Sequence, residues 1–353
     1  VVPLFLSRPN LIRTILILGL IAAPAAPAFA ASTPTKVIPG GQTIGVKLKA
    51  HGILVVGHHL VRTATGNPIS PAEQAGLQRG DQIVTANEQT ITSTQQFATI
   101  VQRAGQANQP VQLTVKRDSK STQLSITPAL DSTDNTYRLG VYIRNQAAGV
   151  GTLTFYDPKA HVYGALGHVV TDMDTREPIP VGDGQIVYSK VISIEKGKRG
   201  LPGEKHAQFW QEDEPIGTIE QNTPLGVFGD MQALPDYGYT GKPMPVATIN
   251  EVKEGPAQIY TVLNGHKVEA FDITIRHVSH QSKPALKGMV LRVTDKKLLA
   301  KTGGIVQGMS GSPIVQNGKL IGAVTHVLVN DPQSGYGCFA EWMLEDAEKV
   351  NAD

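Results

Sequence analysis

The sequence predicts a mainly β protein in which a small α+β module precedes a longer region of short strands, folded as a closed barrel pair or a sandwich. Two observations carry this. Aromatics make up only 5% of the 353 residues, while 36 glycines and 23 prolines are spread among Val, Ile and Thr, so extended runs alternate with turns along the chain. Helical periodicity is confined to residues 70–105 and to a final helix around Glu341–Val350, whereas Leu139 to Leu344 is a succession of β-like runs such as "LGVYIR", "VGTLTFYD", "QIVYSKVISIE" and "HKVEAFDITIRHV".

The length allows two domains with a sizeable core. A formal net charge of +2, with 18% charged residues, argues against nucleic acid as a partner. A single cysteine, Cys338, excludes a disulfide framework within one chain. At the N-terminus, Arg8 and Arg13 precede the apolar run Thr14–Ala23, and "APAFA" then offers a small-x-small cleavage site after Ala30. Residues 1–31 therefore read as an export signal or an uncleaved membrane anchor. Pro24 and Pro27 speak against a buried helix. Residues 32–44, rich in Thr, Pro and Gly, read as an exposed linker.

In the first module "GILVVGHHLV" (52–61) is a strand. In "SPAEQAGLQRGDQIV", Ser70 and Pro71 start a short helix, Gly76 ends it, and Gly80-Asp81 turns the chain into a strand at Gln82–Ala86. A longer helix follows at 93–105. Ser93 and Gln96 form its capping box, Phe97, Ile100, Val101 and Ala104 its apolar face, and Gly105 its stop. Two strands, "PVQLTVKR" and "TQLSITPA", close the unit. The order of elements and the "SPAxxAGLxxGDxI" segment closely resemble a bacterial PDZ domain, here residues 45–130. That resemblance implies a groove for an extended peptide, or a segment of the chain itself, between the strand Gly52, Ile53, Leu54, Val55 and the helix bearing Phe97 and Val101.

In the longer region "GGIVQGMSGSPIVQNGKLIGAVTH" (303–326) concentrates the chemistry. Gly308 and Gly311 bracket Ser310, so the backbone bends sharply and the amides of Gly308 and Ser310 aim at one point, an oxyanion hole beside a hydroxyl nucleophile. Asn317-Gly318 then turns a hairpin, and the strand around Ala323–Val327 offers an edge to an extended peptide. The serine needs a base. His168, after the flexible Gly167, is the first candidate, and His326 the second. Ser312 is the reserve nucleophile. His58-His59 and His277-x-x-His280 have poor chelating geometry, and no metal or other cofactor is expected. The segment 196–215, polar and Gly-rich, reads as an exposed loop.

"ALGHVVTDMDT" and "TDKKLLAKTGGIVQGMSGSPIVQNGKLIGAVTHVLVNDPQSGYG", behind an export signal and a PDZ-like module, resemble the sporulation stage IV B peptidases. These are serine peptidases of family S55, placed among chymotrypsin-like enzymes. The resemblance implies a double β-barrel peptidase domain over residues 137–350, with Ser310 as nucleophile, His168 as base and Asp295 as the acid that orients it. It also implies cleavage of a membrane-bound regulatory protein in the space between forespore and mother cell, self-cleavage near the N-terminus, and a PDZ domain that controls timing and targeting. Asp295 lies 15 residues before Ser310, on the serine's side of the cleft, so Asp172 and Asp174 compete with it as the acid. Two other classes fit parts of the pattern: a non-catalytic PDZ scaffold, and an exported serine esterase. In α/β-hydrolases, however, the serine sits between a strand and a helix rather than before a hairpin.

Overall fold

A computed structural model describes residues 34–64, 66–118, 120–210, 214–235 and 241–352. The export or anchor segment falls outside the described residues. Among those residues no helix is long and apolar enough to cross a membrane.

The first module contains the C-terminal half of β1 (Thr43–His58), α1 (Pro71–Gln74), β2 (Gln82–Ala86), α2 (Thr94–Gln106), β3 (Val111–Arg117) and β4 (Lys120–Ile126). Ser70 caps α1 by accepting from the Glu73 N–H, and Ser93 caps α2 through the Gln96 N–H. The apolar face of α2 is buried against Ile53, Val55, Ile83, Val111 and Val115. Burial of each large side chain there contributes about 1.5–3 kcal/mol. Gly105 is not the helix stop. The helix runs one residue further, and a Cβ at Gly105 would lie 2.1 Å from the Tyr137 ring, so this glycine admits a close contact.

The peptidase region is built from β5 (Val141–Asp157), β6 (Val162–Ala165), β7 (Val181–Glu195), β8 (Glu204–Phe209) and β9 (Gly226–Asp230), followed by β10 (Gly255–Val262), β11 (Val268–Val278), β12 (Met289–Val293), α3 (Lys296–Thr302), β13 (Pro313–Gln316), β14 (Lys319–Leu328), β15 (Asp331–Phe339) and α4 (Ala340–Glu348). Strands β10 to β15 close a six-stranded barrel in the order β10-β11-β12-β15-β14-β13. Strands β5 to β9 and the N-terminal half of β1 form the other half-barrel, which is open and continuous with the sheet of the first module. One apolar core crosses between the half-barrel and the barrel, joining Val37, Phe155 and Phe228 to Ile259, Phe271 and Ile314. The serine hairpin is β13–β14, with Asn317 and Gly318 at positive φ, as its two-residue turn requires.

Three further expectations need correction. Residues 32–44 are not an exposed linker: Lys36–Pro39 pair with Tyr156 and Phe155 and with Pro245 and Met244, Val37 is fully buried, and β1 already begins at Thr43. Their Pro and Gly content resembles a loop, but the strand is too short for alternation to show. Residues 196–215 are not simply a loop, because Glu204–Phe209 form β8 against β7, and Lys205 there is buried.

The third correction concerns the peptide groove. Both edges of the Gly52–Val55 stretch are taken: Ile53 and Leu54 pair with Ile83 and Gln82 of β2, while Leu54 and Val55 pair with Arg144 and Ile143 of β5. Strand addition needs an unpaired edge. That edge belongs to Val141–Asn145, which pairs on one side with β1 and on the other carries no strand among the described residues. The segment follows α2 from Tyr137 beside Gly105 to Asn145, whose amide reaches the Thr92 carbonyl. Phe97 and Val101 are buried in the core against which Val141 and Ile143 pack. The first module is thus completed by residues C-terminal to it, and the 45–130 and 137–350 blocks share β1 and β5.

Candidate active site

The serine loop runs from α3 into β13. Gly308 and Gly311 have φ of +88° and +91°, the left-handed region that glycine enters without strain. A Cβ on Gly311 would stand 2.1 Å from the Thr152 carbonyl oxygen, so the loop closes onto β5 only with glycine there.

Hydrogen bonds fix the peptide planes of this loop one by one. The Gln307 carbonyl accepts from the Lys205 N–H at 2.9 Å, and the Gly308 carbonyl from the Thr152 hydroxyl at 2.7 Å. The Met309 carbonyl accepts from the Ser312 N–H at 2.9 Å, and the Ser310 carbonyl from the Thr152 N–H at 3.0 Å. The Gly311 carbonyl accepts from the Thr154 hydroxyl at 2.7 Å. In a trans peptide the N–H points opposite to its carbonyl, so each anchor also aims the next amide. The N–H groups of Met309, Gly311 and Ser312 are used on Val306, Val324 and Met309. Those of Gly308 and Ser310 have no acceptor among the described residues, and they are the pair expected from the Gly-x-Ser-Gly spacing.

The Ser310 hydroxyl donates to the Thr325 carbonyl at 2.9 Å, and no hydrogen bond joins it to a histidine. His168 reaches the same neighbourhood from the other side of the cleft. It follows Leu166 and Gly167, with φ of +71° and +69°, and this double left-handed bend packs against Ala323, Val324 and Thr325. Positive φ at a leucine is uncommon and costs backbone energy. The Leu166 N–H donates to the Thr152 carbonyl, so one residue of β5 touches both the histidine loop and the serine loop. The rings of His168 and His326 lie 5.1 Å apart, and His326 follows the residue that holds the Ser310 hydroxyl.

His168 Nδ1 lies 2.9 Å from the Val169 carbonyl. A carbonyl only accepts, so this contact puts the ring proton on Nδ1 and leaves Nε2 with its lone pair. Burial holds the His168 pKa below the ordinary histidine value, partly offset by that carbonyl. His326 is also lowered, by burial first and then by the charges of His168 and Lys287. The ring of His168 is therefore neutral at pH 7, the form that accepts a proton.

Among the described residues no carboxylate is hydrogen-bonded to His168. The Asp295 carboxylate caps α3 by accepting from the Leu298 N–H at 2.8 Å. It stands beyond the C-terminal end of β12, whereas the Thr325 hydroxyl meets Leu286, before the start of that strand. Asp295 lies six positions after Met289, roughly 20 Å of extended chain. Asp172 and Asp174 are engaged by Arg144, at 2.6 and 2.8 Å. Burial would raise the Asp172 carboxyl, but the N–H groups of Thr175 and Asp174 and the Arg144 guanidinium outweigh it and hold the pKa below the usual range. Ser312 is fully buried, and its hydroxyl has no partner among the described residues, so it is not placed for attack on a substrate.

Sequence reasoning missed Thr152, Thr154 and Arg144. The signal for the threonines was present: "GTLTF" puts hydroxyls at alternate positions of a wholly buried run.

A two-sided β cleft with a glycine-bracketed serine, two aimed amides and a neutral histidine is the arrangement of a serine peptidase. The profile of the SpoIVB peptidase S55 family matches residues 135–344, more than half of the chain, and the protein belongs to that family. A PDZ domain profile matches residues 44–127. Among curated proteins, the probable protease eep of Enterococcus faecalis is 34% identical over 77 residues, which cover 21% of this chain and 18% of that protein. Among solved structures, the active form of the Rv3671c protease from M. tuberculosis is 17% identical, covering 58% of this chain and 75% of that chain with a TM-score of 0.36. The PDZ domain of the SdrC-like protein from Listeria monocytogenes is 21% identical, covering 26% of this chain and 86% of that domain with a TM-score of 0.21.

Proposed function

We propose that this serine peptidase is an exported or membrane-anchored endopeptidase with few protein substrates. In this reading it acts in sporulation signalling, cleaving a membrane-bound regulatory protein and its own N-terminal region to trigger activation of a sigma factor. Family membership supports the peptidase chemistry, and the basic and apolar N-terminus supports export. The open edge of Val141–Asn145 beside α2 supports capture of an extended protein segment, which would set targeting and timing.

In the reaction the Ser310 hydroxyl turns from the Thr325 carbonyl towards His168 Nε2, gives up its proton there and attacks the scissile carbonyl. The carbonyl oxygen takes the negative charge and is met by the N–H groups of Gly308 and Ser310. His168 returns the proton to the leaving amine, and water then hydrolyses the acyl-enzyme by the same route. The Val169 carbonyl keeps the ring in the required tautomer, the place a carboxylate takes in a full triad.

The observation that carries this reading is that the N–H groups of Gly308 and Ser310 have no acceptor among the described residues, in a loop whose carbonyls from Gln307 to Gly311 are all anchored. Labelling with a fluorophosphonate probe tests it. The wild type should be labelled, and Ser310→Ala should not be, with its melting temperature unchanged. Equal labelling of the two proteins would refute Ser310 as the nucleophile.

A further inference from the structure

We propose that Thr152 and Thr154 are positioning residues for the oxyanion hole: their side chains clamp the serine loop so that the Gly308 and Ser310 amides face the reacting carbonyl. This deepens the assignment of Ser310 as nucleophile and rests on it.

Both threonines are 0% exposed and occupy alternate positions of β5, so their hydroxyls point to the same face. That face meets the serine loop. The Thr152 hydroxyl holds the Gly308 carbonyl and the Thr154 hydroxyl holds the Gly311 carbonyl, each at 2.7 Å, and the Thr152 N–H holds the Ser310 carbonyl between them. The Gly308 carbonyl belongs to the peptide that joins the two halves of the hole. Gly308 and Gly311 are both at positive φ and carry no Cβ, so little in their own backbones opposes rotation of the adjoining peptides. Without the Thr152 hydroxyl, the Gly308 carbonyl would be a buried acceptor with no partner, and rotating the peptide to find one would spoil the aim of the neighbouring amides.

Thr154 acts one plane further on. It fixes the Gly311–Ser312 peptide, whose N–H donates to the Met309 carbonyl. That carbonyl lies on the Met309–Ser310 peptide, and its direction sets the direction of the Ser310 N–H. The Thr152 hydroxyl therefore stands behind the peptide between the two halves of the hole, and the Thr154 hydroxyl behind the Ser310 half.

The test is the second-order rate of fluorophosphonate labelling, because the phosphoryl oxygen of the probe enters the oxyanion hole as Ser310 displaces fluoride. Thr152→Val keeps the shape and removes the hydroxyl; Thr152→Ser keeps the hydroxyl and removes a methyl. Loss of a whole oxyanion donor costs about 10²–10³ in rate, and a donor that is present but misaimed costs less. Thr152→Val should therefore be labelled about 10- to 100-fold more slowly, and Thr152→Ser within about threefold of wild type. Melting temperature, measured alongside, should not track the labelling rate across the variants. Thr154→Val and Thr154→Ser should repeat the contrast, and they carry the test if Thr152→Val does not fold. Valine variants labelled within about threefold of wild type would overturn the proposal, as would serine variants as slow as the valine ones. With Ser310→Ala as control, a clamp that fails while the control stays unlabelled leaves the nucleophile standing, whereas a labelled control removes the reading beneath it.

Discussion

Replacing Lys205 by methionine should make the protein more stable, by an amount that depends on pH. Lys205 is 1% exposed, and among the described residues its Nζ has one hydrogen-bond partner, the Thr261 hydroxyl at 2.6 Å. Burial pushes its pKa from 10.5 down to about 7. In the unfolded chain the amine is charged up to about pH 10.5; in the folded protein it is charged only below about 7. Between those values the unfolded chain binds the extra proton, so stability rises with pH across that window. A full 3.5-unit shift corresponds to about 5 kcal/mol, and at pH 7, where the folded amine is half protonated, to about 4 kcal/mol. Methionine fills a similar volume without the charge but loses the bond to Thr261, which contributes about 1 kcal/mol. Lys205→Met should thus be about 3 kcal/mol more stable at pH 7, with the gain shrinking to near zero at pH 10. Urea midpoints for both proteins at pH 7, 8, 9 and 10 measure this. Parallel pH profiles, or a variant less stable than wild type at pH 7, would refute the reasoning. The Lys205 N–H still reaches the Gln307 carbonyl in the variant, so fluorophosphonate labelling should persist.

His168→Ala should abolish labelling and casein hydrolysis, and a double variant with Ser310→Ala should be no worse than either single one, because the two act as a unit. His326→Ala should keep most activity; the reverse pattern would make His326 the base. Because burial lowers the His168 pKa and only its neutral ring accepts a proton, the acid limb of kcat/KM should have its midpoint below the ordinary histidine value, read from a rate profile between pH 4.5 and 8. Asp295→Asn should leave both melting temperature and turnover near wild type, since asparagine caps a helix as well as aspartate, while Asp295→Ala should cost about 1 kcal/mol; an inactive, folded Asp295→Asn would instead restore it as the acid. Arg144→Met should leave the buried Asp172 carboxylate without its cation and loosen the loop that bears His168, lowering melting temperature and labelling rate together; a variant unchanged in both would show that the pair does no positioning.

Much of the site was legible because its signals are local. A serine between two glycines before an Asn-Gly hairpin specifies a bend, a hydroxyl and two amides within a few residues, and all of these are in place. The helices of the first module could be read for the same reason, from caps and periodicity at 93–106. Partnership across the chain could not. Asp295 carries the same side chain whether it caps α3 or orients an imidazole, and only the pairing of β12 shows how far it stands from the Thr325 end of the cleft. Lys205 looked like part of a solvated loop because charge usually marks exposure, and nothing adjacent to it announces burial.

The misplaced groove shows the physical limit most clearly. Hydrophobic alternation identifies a strand, but it does not tell which edge is paired, because backbone hydrogen bonding is the same for every sequence. "GILVV" and "LGVYIR" are equally good strands; among the described residues the first has neighbours on both sides and the second on one, a fact fixed by residues nearly a hundred positions apart. Since the second strand is also the start of β5, the edge that would take a peptide and the threonines that hold the serine loop lie on one uninterrupted 17-residue strand. Within that edge Arg144 grips the acidic residues after His168, so the same strand supports both loops of the active site. A peptide added along Val141–Asn145 would extend the hydrogen-bonded ladder of the strand on which both loops rest. In this architecture the peptide-binding module and the peptidase are not two bodies on a tether; they are joined through the backbone of β5.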